Sequence, residues 1–161
     1  VTNGGLTLQD EDIGLYDAGT WSLFFDGSAQ GLGGTGTGYD IDAISISGGV
    51  LYLSTVGNVN VGGLGAGDDA DIYSYNGAAY ARVFDASANG LPGNADIDGL
   101  TVQSGTYYMS FLRNAGTTVP APVGVVQDEA VVSFDGTNWA LYFSGPGLTT
   151  NGHDLDAVHV P

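Results

Sequence analysis

The chain is predicted to be all-β, built from three pseudo-repeats of four short antiparallel strands in a propeller-like or sandwich-like arrangement. Three observations predict this. Trp21-Ser22-Leu23-Phe24-Phe25-Asp26-Gly27-Ser28 returns as Tyr80-Ala81-Arg82-Val83-Phe84-Asp85-Ala86-Ser87 and again as Trp139-Ala140-Leu141-Tyr142-Phe143-Ser144-Gly145-Pro146, each step being 59 residues. A fixed period of this size marks repeat architecture. No window has helical periodicity, whereas short apolar runs alternate with Gly-, Asp- and Asn-rich turns. Glycine occupies 28 of 161 positions, which suits tight turns and weakens helices.

The elements follow in order. A partial unit at 1–20 carries one strand, the fourth of its unit, at 12–16. The repeat at 21–79 carries four, at 21–25, 41–47, 50–56 and 71–75. The repeat at 80–138 carries four more, at 80–84, 97–102, 106–112 and 130–134. The partial repeat at 139–161 offers a first strand at 139–143 and a second at 155–160, for eleven in all. Side chains on a strand alternate between faces. In the second strand Ile44/Ile46, Leu100/Val102 and Val158/Val160 share one phase. Ala43, Gly99 and Ala157 sit on the other, where small residues predict close approach of another backbone or sheet. Trp21, Tyr80 and Trp139 recur at one strand start and are expected to wedge between neighbouring units.

The ends are in different phases. The first residue aligns near Asn60 and the last near the close of the second strand, so the piece corresponding to 50–56 is missing. Three arrangements satisfy this: terminal strands meeting in one composite unit, an open array that takes a neighbour's strand at its incomplete sheet, or a piece of a longer repeat protein. A β-prism or trefoil is the alternative architecture.

A chain of 161 residues can bury an ordinary core without staples, and it has no cysteine, so disulfides and thiolate metal sites are excluded. No apolar run reaches the ~18 residues of a membrane span, so membrane insertion is not expected. Eighteen acids, sixteen of them Asp, face two arginines and no lysine, for a net charge of −16. Such a surface repels nucleic acid and anionic lipid. Solubility or adaptation to salt would explain acidity as such, but would mix Glu with Asp on exposed faces. Here Asp dominates and recurs at fixed phases of the repeat.

Asp40-Ile41-Asp42, Asp96-Ile97-Asp98 and Asp154-Leu155-Asp156 open the second strands. Asp10, Glu11 and Asp12, then Asp68, Asp69 and Asp71, then Asp128 and Glu129 open the fourth. Asp26 and Asp85 close the first strands. With consecutive strands antiparallel, all three sets fall at one edge. Carboxylates gathered there repel and raise one another's pKa unless a cation binds. Ca2+ is the natural ion, since it takes six to eight oxygens from Asp, backbone carbonyls and water. Mg2+ keeps more water, and Zn2+ prefers His or Cys. The simpler reading is that each Asp caps a local turn. Ala130 in place of Asp71 and Ser144 in place of Asp26 weaken the third copy.

Catalysis has no support. His153 and His159 align with unlike residues in the other copies, no nucleophile and base pair is found, and a repeated carboxylate pair is not how glycosidases are built. Gly31-Leu32-Gly33-Gly34-Thr35-Gly36 leads into no helix and reads as a flexible loop, not a phosphate site.

The phrases WSLFFDGSAQGL, DIDAISI, VLYLSTVG and DDADIYSY resemble the ~60-residue repeats of large secreted or surface proteins of environmental bacteria. In those repeats an aromatic-x-Leu-x-Phe-Asp-Gly-Ser element, a Gly-Leu turn, an Asp-Ile-Asp-Ala element and an Asp-Glu-Asp-Ile element recur. The resemblance covers nearly the whole chain and implies an extracellular or cell-surface setting and a β-fold. The expected function is structural and not enzymatic: a calcium-binding subunit of a surface layer, adhesin or fibre that self-associates through sheet-edge contacts at its incomplete sheet. The alternatives are a carbohydrate-binding module, with Tyr73, Tyr75, Tyr107, Tyr108 and Tyr142 offered to glycans, and a propeller fragment of a secreted enzyme.

Overall fold

Alternating strands with one apolar face gain stability only when that face is covered, and in this chain each sheet covers the next. The computed structural model describes residues 2–3, 5–33, 37–112, 116–145 and 154–161. Fourteen strands are found among them: β1 (Thr2–Asn3), β2 (Leu6–Thr7), β3 (Ile13–Asp17), β4 (Thr20–Phe25), β5 (Ile41–Ser47), β6 (Val50–Thr55), β7 (Ile72–Tyr75), β8 (Tyr80–Phe84), β9 (Ile97–Gln103), β10 (Thr106–Phe111), β11 (Thr117–Val119), β12 (Gly124–Val126), β13 (Val131–Phe134) and β14 (Trp139–Phe143). The class is all-β, in several small antiparallel sheets.

Two four-stranded meanders dominate, in the orders β5-β6-β7-β8 and β9-β10-β13-β14. Each sheet therefore joins the second, third and fourth strands of one sequence copy to the first strand of the next. Hairpin β3–β4 is the corresponding outer half of a preceding unit. Ten of the eleven expected strands are present; residues 155–160 form no ladder and lie beside β9. The β1–β2 and β11–β12 hairpins were not read from the sequence, being too short to show alternation.

A β-bulge falls at the same repeat position in all three outer hairpins. Ile13 pairs Phe25 but Gly14 pairs Leu23, Ile72 pairs Phe84 but Tyr73 pairs Arg82, and Val131 pairs Phe143 but Val132 pairs Leu141. The unpaired residue re-aims the strand end, and Phe25 and Phe84 thereby reach the following sheet. Phe25 meets Tyr75 edge-on with ring centroids 5.5 Å apart, and Phe84 meets Phe134 in the same way at 5.5 Å. The first contact belongs to a core of Phe25, Leu32, Leu51, Leu53, Val61 and Tyr73 between β3–β4 and the first meander. The second belongs to the larger core between the two meanders.

The Gly-Leu elements close the first strand of each unit. Gly31 and Gly90 adopt φ of 89° and 82°, open to glycine without a Cβ clash, and the resulting turns bury Leu32 and Leu91. Residues 28–32 thus form a compact turn with Gly31 in the left-handed region; of the flexible loop expected at 31–36, positions 34–36 lie outside the described residues. Trp139 is buried against Phe84 and Tyr80 is half-buried beside Tyr75, as expected of wedges, whereas Trp21 is exposed.

Truncating Phe84 empties a filled core site, so Phe84→Ala is expected to cost about 3–5 kcal/mol in urea denaturation. The repeat-equivalent Phe143→Ala, on an open face, is expected to stay within about 0.5 kcal/mol in dilute solution.

Candidate metal centre

Three inner segments, β5, β9 and residues 154–161, lie side by side where consecutive sheets meet. The Val102 amide donates to Ser45 Oγ at 2.9 Å. One repeat further on, the Thr101 hydroxyl donates to the Val158 carbonyl and Gln103 Nε2 to the Pro161 carbonyl at 2.6 Å. Gly99 permits this approach: a Cβ there would stand 2.3 Å from Ser110 Oγ and 3.2 Å from the Leu155 carbonyl. The small-residue phase read from Ala43, Gly99 and Ala157 thus has a physical basis at Gly99. Ala43 is likewise buried between the meanders.

Because each inner segment starts with Asp-x-Asp, side-by-side packing sets the second Asp of one against the first of the next. Asp42 and Asp96 are hydrogen-bonding partners. Asp98 stands against Asp154, and one oxygen each of Asp98, Asp154 and Asp156 lies within 4.8 Å of the others. Burial, with Asp98, Asp40 and Asp69 nearby, pushes Asp42 up to about 6. Burial again, with the charge of Asp154, pushes Asp98 up to about 7. Asp154 is raised by burial and by Asp156 and Asp128.

Asp98 is only 8% exposed, and its Oδ2, like Oδ2 of Asp42, is buried without a hydrogen-bond donor. Its Oδ1 is 2.8 Å from Ser110 Oγ, which also lies 2.7 Å from the Leu155 carbonyl. One hydroxyl carries one hydrogen. Both contacts are satisfied together only when Asp98 is protonated and donates to Ser110. Without a proton or a cation, the segment holds uncompensated buried charge.

The acids at the fourth-strand starts join this row. Burial, then the charges of Asp10 and Glu11, raises Asp40; Asp69 adds to the burial that raises Asp42, and Asp128 to the burial that raises Asp154. Asp10, Asp69 and Asp128 are related by the 59-residue repeat. The expected gathering of second- and fourth-strand starts is therefore present.

The other acids do local structural work, which was the simpler reading. Asp12 accepts the amides of Gly27 at 3.0 Å and Gln9 at 2.8 Å, and Asp71 accepts those of Ala86 at 2.8 Å and Asp68 at 3.0 Å. Asp26 and Asp85 accept the amides of Ala29 and Ala88, each at 2.9 Å. Glu129 packs under Gly145 as Glu11 does under Gly27.

Asp68, Asp71 and Asp85 form a second close trio, but the chain supplies its own cation there. Arg82 Nε lies 3.2 Å from Asp71 Oδ2 as an ion pair without hydrogen-bond alignment, and Nη1 lies 3.5 Å from Asp85. Arg82 also donates to the Ala66 carbonyl at 2.7 Å and sits over the Tyr73 ring. At the equivalent of the buried Asp71 and Arg82 the third copy has Ala130 and Leu141, so acid and base are absent together.

Sequence reasoning missed Arg82 and the fully buried Ser54 and Ser110. Ser54 Oγ lies 3.0 Å from the carbonyls of both Asp69 and Asp71, and its one hydrogen serves one of them at a time. The available signal was a polar residue repeated at one core phase of the third strand. Of the tyrosines offered to glycans, Tyr73 is buried, Tyr75 packs between Phe25 and Tyr80, Tyr107 lies against Phe84, and Tyr108 stacks on Tyr142. They do not recur as three equivalent surfaces. His159 is exposed beside the inner segments, while Arg113 and His153 lie outside the described residues.

The chain matches no protein-family model and no curated protein in sequence comparison. No helix among the described residues is long and apolar enough to cross a membrane.

Two outcomes follow. Gly99→Ala is expected to cost about 1–3 kcal/mol in chemical denaturation, because backbone and a buried serine must move. The raised carboxyls hold protons more tightly folded than unfolded, where Asp titrates near 3.9. In chelator, stability is therefore expected to fall as pH rises from about 4 to about 7 and then level. Asp98→Asn should flatten that slope in thermal melts, and an unchanged slope would refute the assignment.

Proposed function

We propose that this chain is a calcium-binding structural module of an extracellular or cell-surface assembly, such as a surface layer, adhesin or fibre, without enzymatic activity. One observation carries the reading: Asp98, Asp154 and Asp156 converge within 4.8 Å, and no ion pair among the described residues reaches them. The Asp68, Asp71 and Asp85 trio, by contrast, holds Arg82. A cation in the first cluster would play the part the guanidinium plays in the second.

The donor set fits a hard ion. All three groups are carboxylates, with no sulfur or imidazole in the cluster, and Asp154 and Asp156 are open to solvent that can complete six to eight oxygens. Asp98, Asp154 and Asp156 would hold the ion, with Asp128 close by. When bound, it would supply positive charge in place of the proton on Asp98 and would fasten residues 154–161 to β9. The residues themselves position and crosslink. The extracellular setting is supported by the resemblance of the repeat to surface proteins and by calcium concentrations that suit weak, solvent-open sites outside cells.

Isothermal titration with CaCl2 is expected to give a binding isotherm, and calcium to raise the melting temperature over that in chelator. Asp98→Asn or Asp154→Asn should weaken binding roughly tenfold or more, whereas Asp85→Asn, beside Arg82, should leave it unchanged. Wild-type protein with no heat of binding and no shift in melting would reject calcium.

A further inference from the structure

The stacked outer hairpins repeat one aromatic arrangement. Tyr75 and Tyr80, directly paired across β7–β8, are 4.8 Å apart with planes at 40°, and Phe25 of the preceding hairpin meets Tyr75 at 72°. Phe134 and Trp139, directly paired across β13–β14, are 4.8 Å apart at 37°, and Phe84 meets Phe134 at 71°. The geometry is the same although the residues differ. It is one interface used twice.

The same pair exists a third time and so does the same phenylalanine, each without such a partner among the described residues. Tyr16 and Trp21, paired across β3–β4, are 5.0 Å apart at 45°, and they are 58% and 39% exposed. Phe143, equivalent to Phe25 and Phe84, is 41% exposed where those are 6% and 2%. Leu23, at 42%, widens the open face around Trp21. The two faces are the two halves of an interface the chain already forms internally.

We propose that a second copy of this chain seats its Tyr16–Trp21 pair against Phe143, so that copies join head to tail by the face-to-face stacking that joins hairpins within one copy. The occupant is identified by continuity: whatever lies on Phe143 in the internal pattern is a hairpin bearing an aromatic cross-strand pair, and this chain presents one. The contact is heterologous, so each copy keeps one free face and growth can continue. It uses a sheet face and leaves strand edges aside. The inference rests on the proposed role in a surface assembly and not on calcium.

The test uses sedimentation velocity at about 0.15 M salt, which screens the acidic surface, in calcium and in chelator. Wild-type protein is expected to sediment faster with rising concentration. Phe143→Asp and Trp21→Asp should each remain monomeric, with association at least about thirtyfold weaker, as for loss of an aromatic anchor. Mixed in equal amounts, the two should form a dimer and nothing larger, since each retains one working face. Circular dichroism verifies that both fold, and Phe143→Ser with Tyr16→Ser provides a milder pair. A wild type that stays monomeric, single variants that associate like wild type, or a mixture without dimer would each overturn the inference. Failure here leaves the calorimetric test of calcium standing, and a failed calcium titration leaves this one standing.

Discussion

Everything in this molecule depends on sheets packing face to face at a spacing close enough for their inner strands to touch. Aromatic edge-to-face contacts from Phe25 and Phe84 set that spacing at the outer hairpins, and Gly99 permits it at the inner strands. A meander alone is marginal, because one apolar face stays wet. Stacking buries residues on both faces of the first meander, with Tyr73 on one side and Ile72 and Phe84 on the other. The bulge matters here, since without it the strand-end phenylalanines would not be aimed at the next sheet.

The same closeness creates the electrostatic problem. Inner segments that begin with Asp-x-Asp cannot lie side by side without pressing carboxylates together, and Asp42 and Asp98 carry the cost as raised pKa values with burial as the first cause. The chain meets like-charge crowding differently at its two acidic clusters. Backbone amides and Arg82 neutralise Asp71, while no ion pair among the described residues reaches Asp98, and Ser110 beside it also lies against the Leu155 carbonyl. That difference separates acids serving as turn clamps from acids that need something more, and the sequence pattern alone treats the two kinds alike.

The repeat made most of the fold legible. Positions of strands followed from the 59-residue step and alternation, and the all-β class with them. The pairing of a fourth strand with the first strand of the next copy was hidden, because period alone does not say where a sheet begins. Bulges were hidden too, since the extra Phe24, Val83 or Tyr142 reads as ordinary alternation. At the site, the gathering of Asp10, Asp69 and Asp128 with the second-strand acids followed from antiparallel topology. What could not be read was which acids have amide donors, because Asp12 and Asp71 find theirs 15 residues away in a folded turn.

The claim at the centre of this account is that two acidic clusters of similar size differ in what neutralises them. A crystal structure grown in calcium, with data collected for the anomalous signal of the ion, tests it directly. The account predicts a peak among Asp98, Asp154 and Asp156 and none among Asp68, Asp71 and Asp85, where Arg82 stands. No peak at Asp98, or peaks of equal height at both clusters, would contradict it.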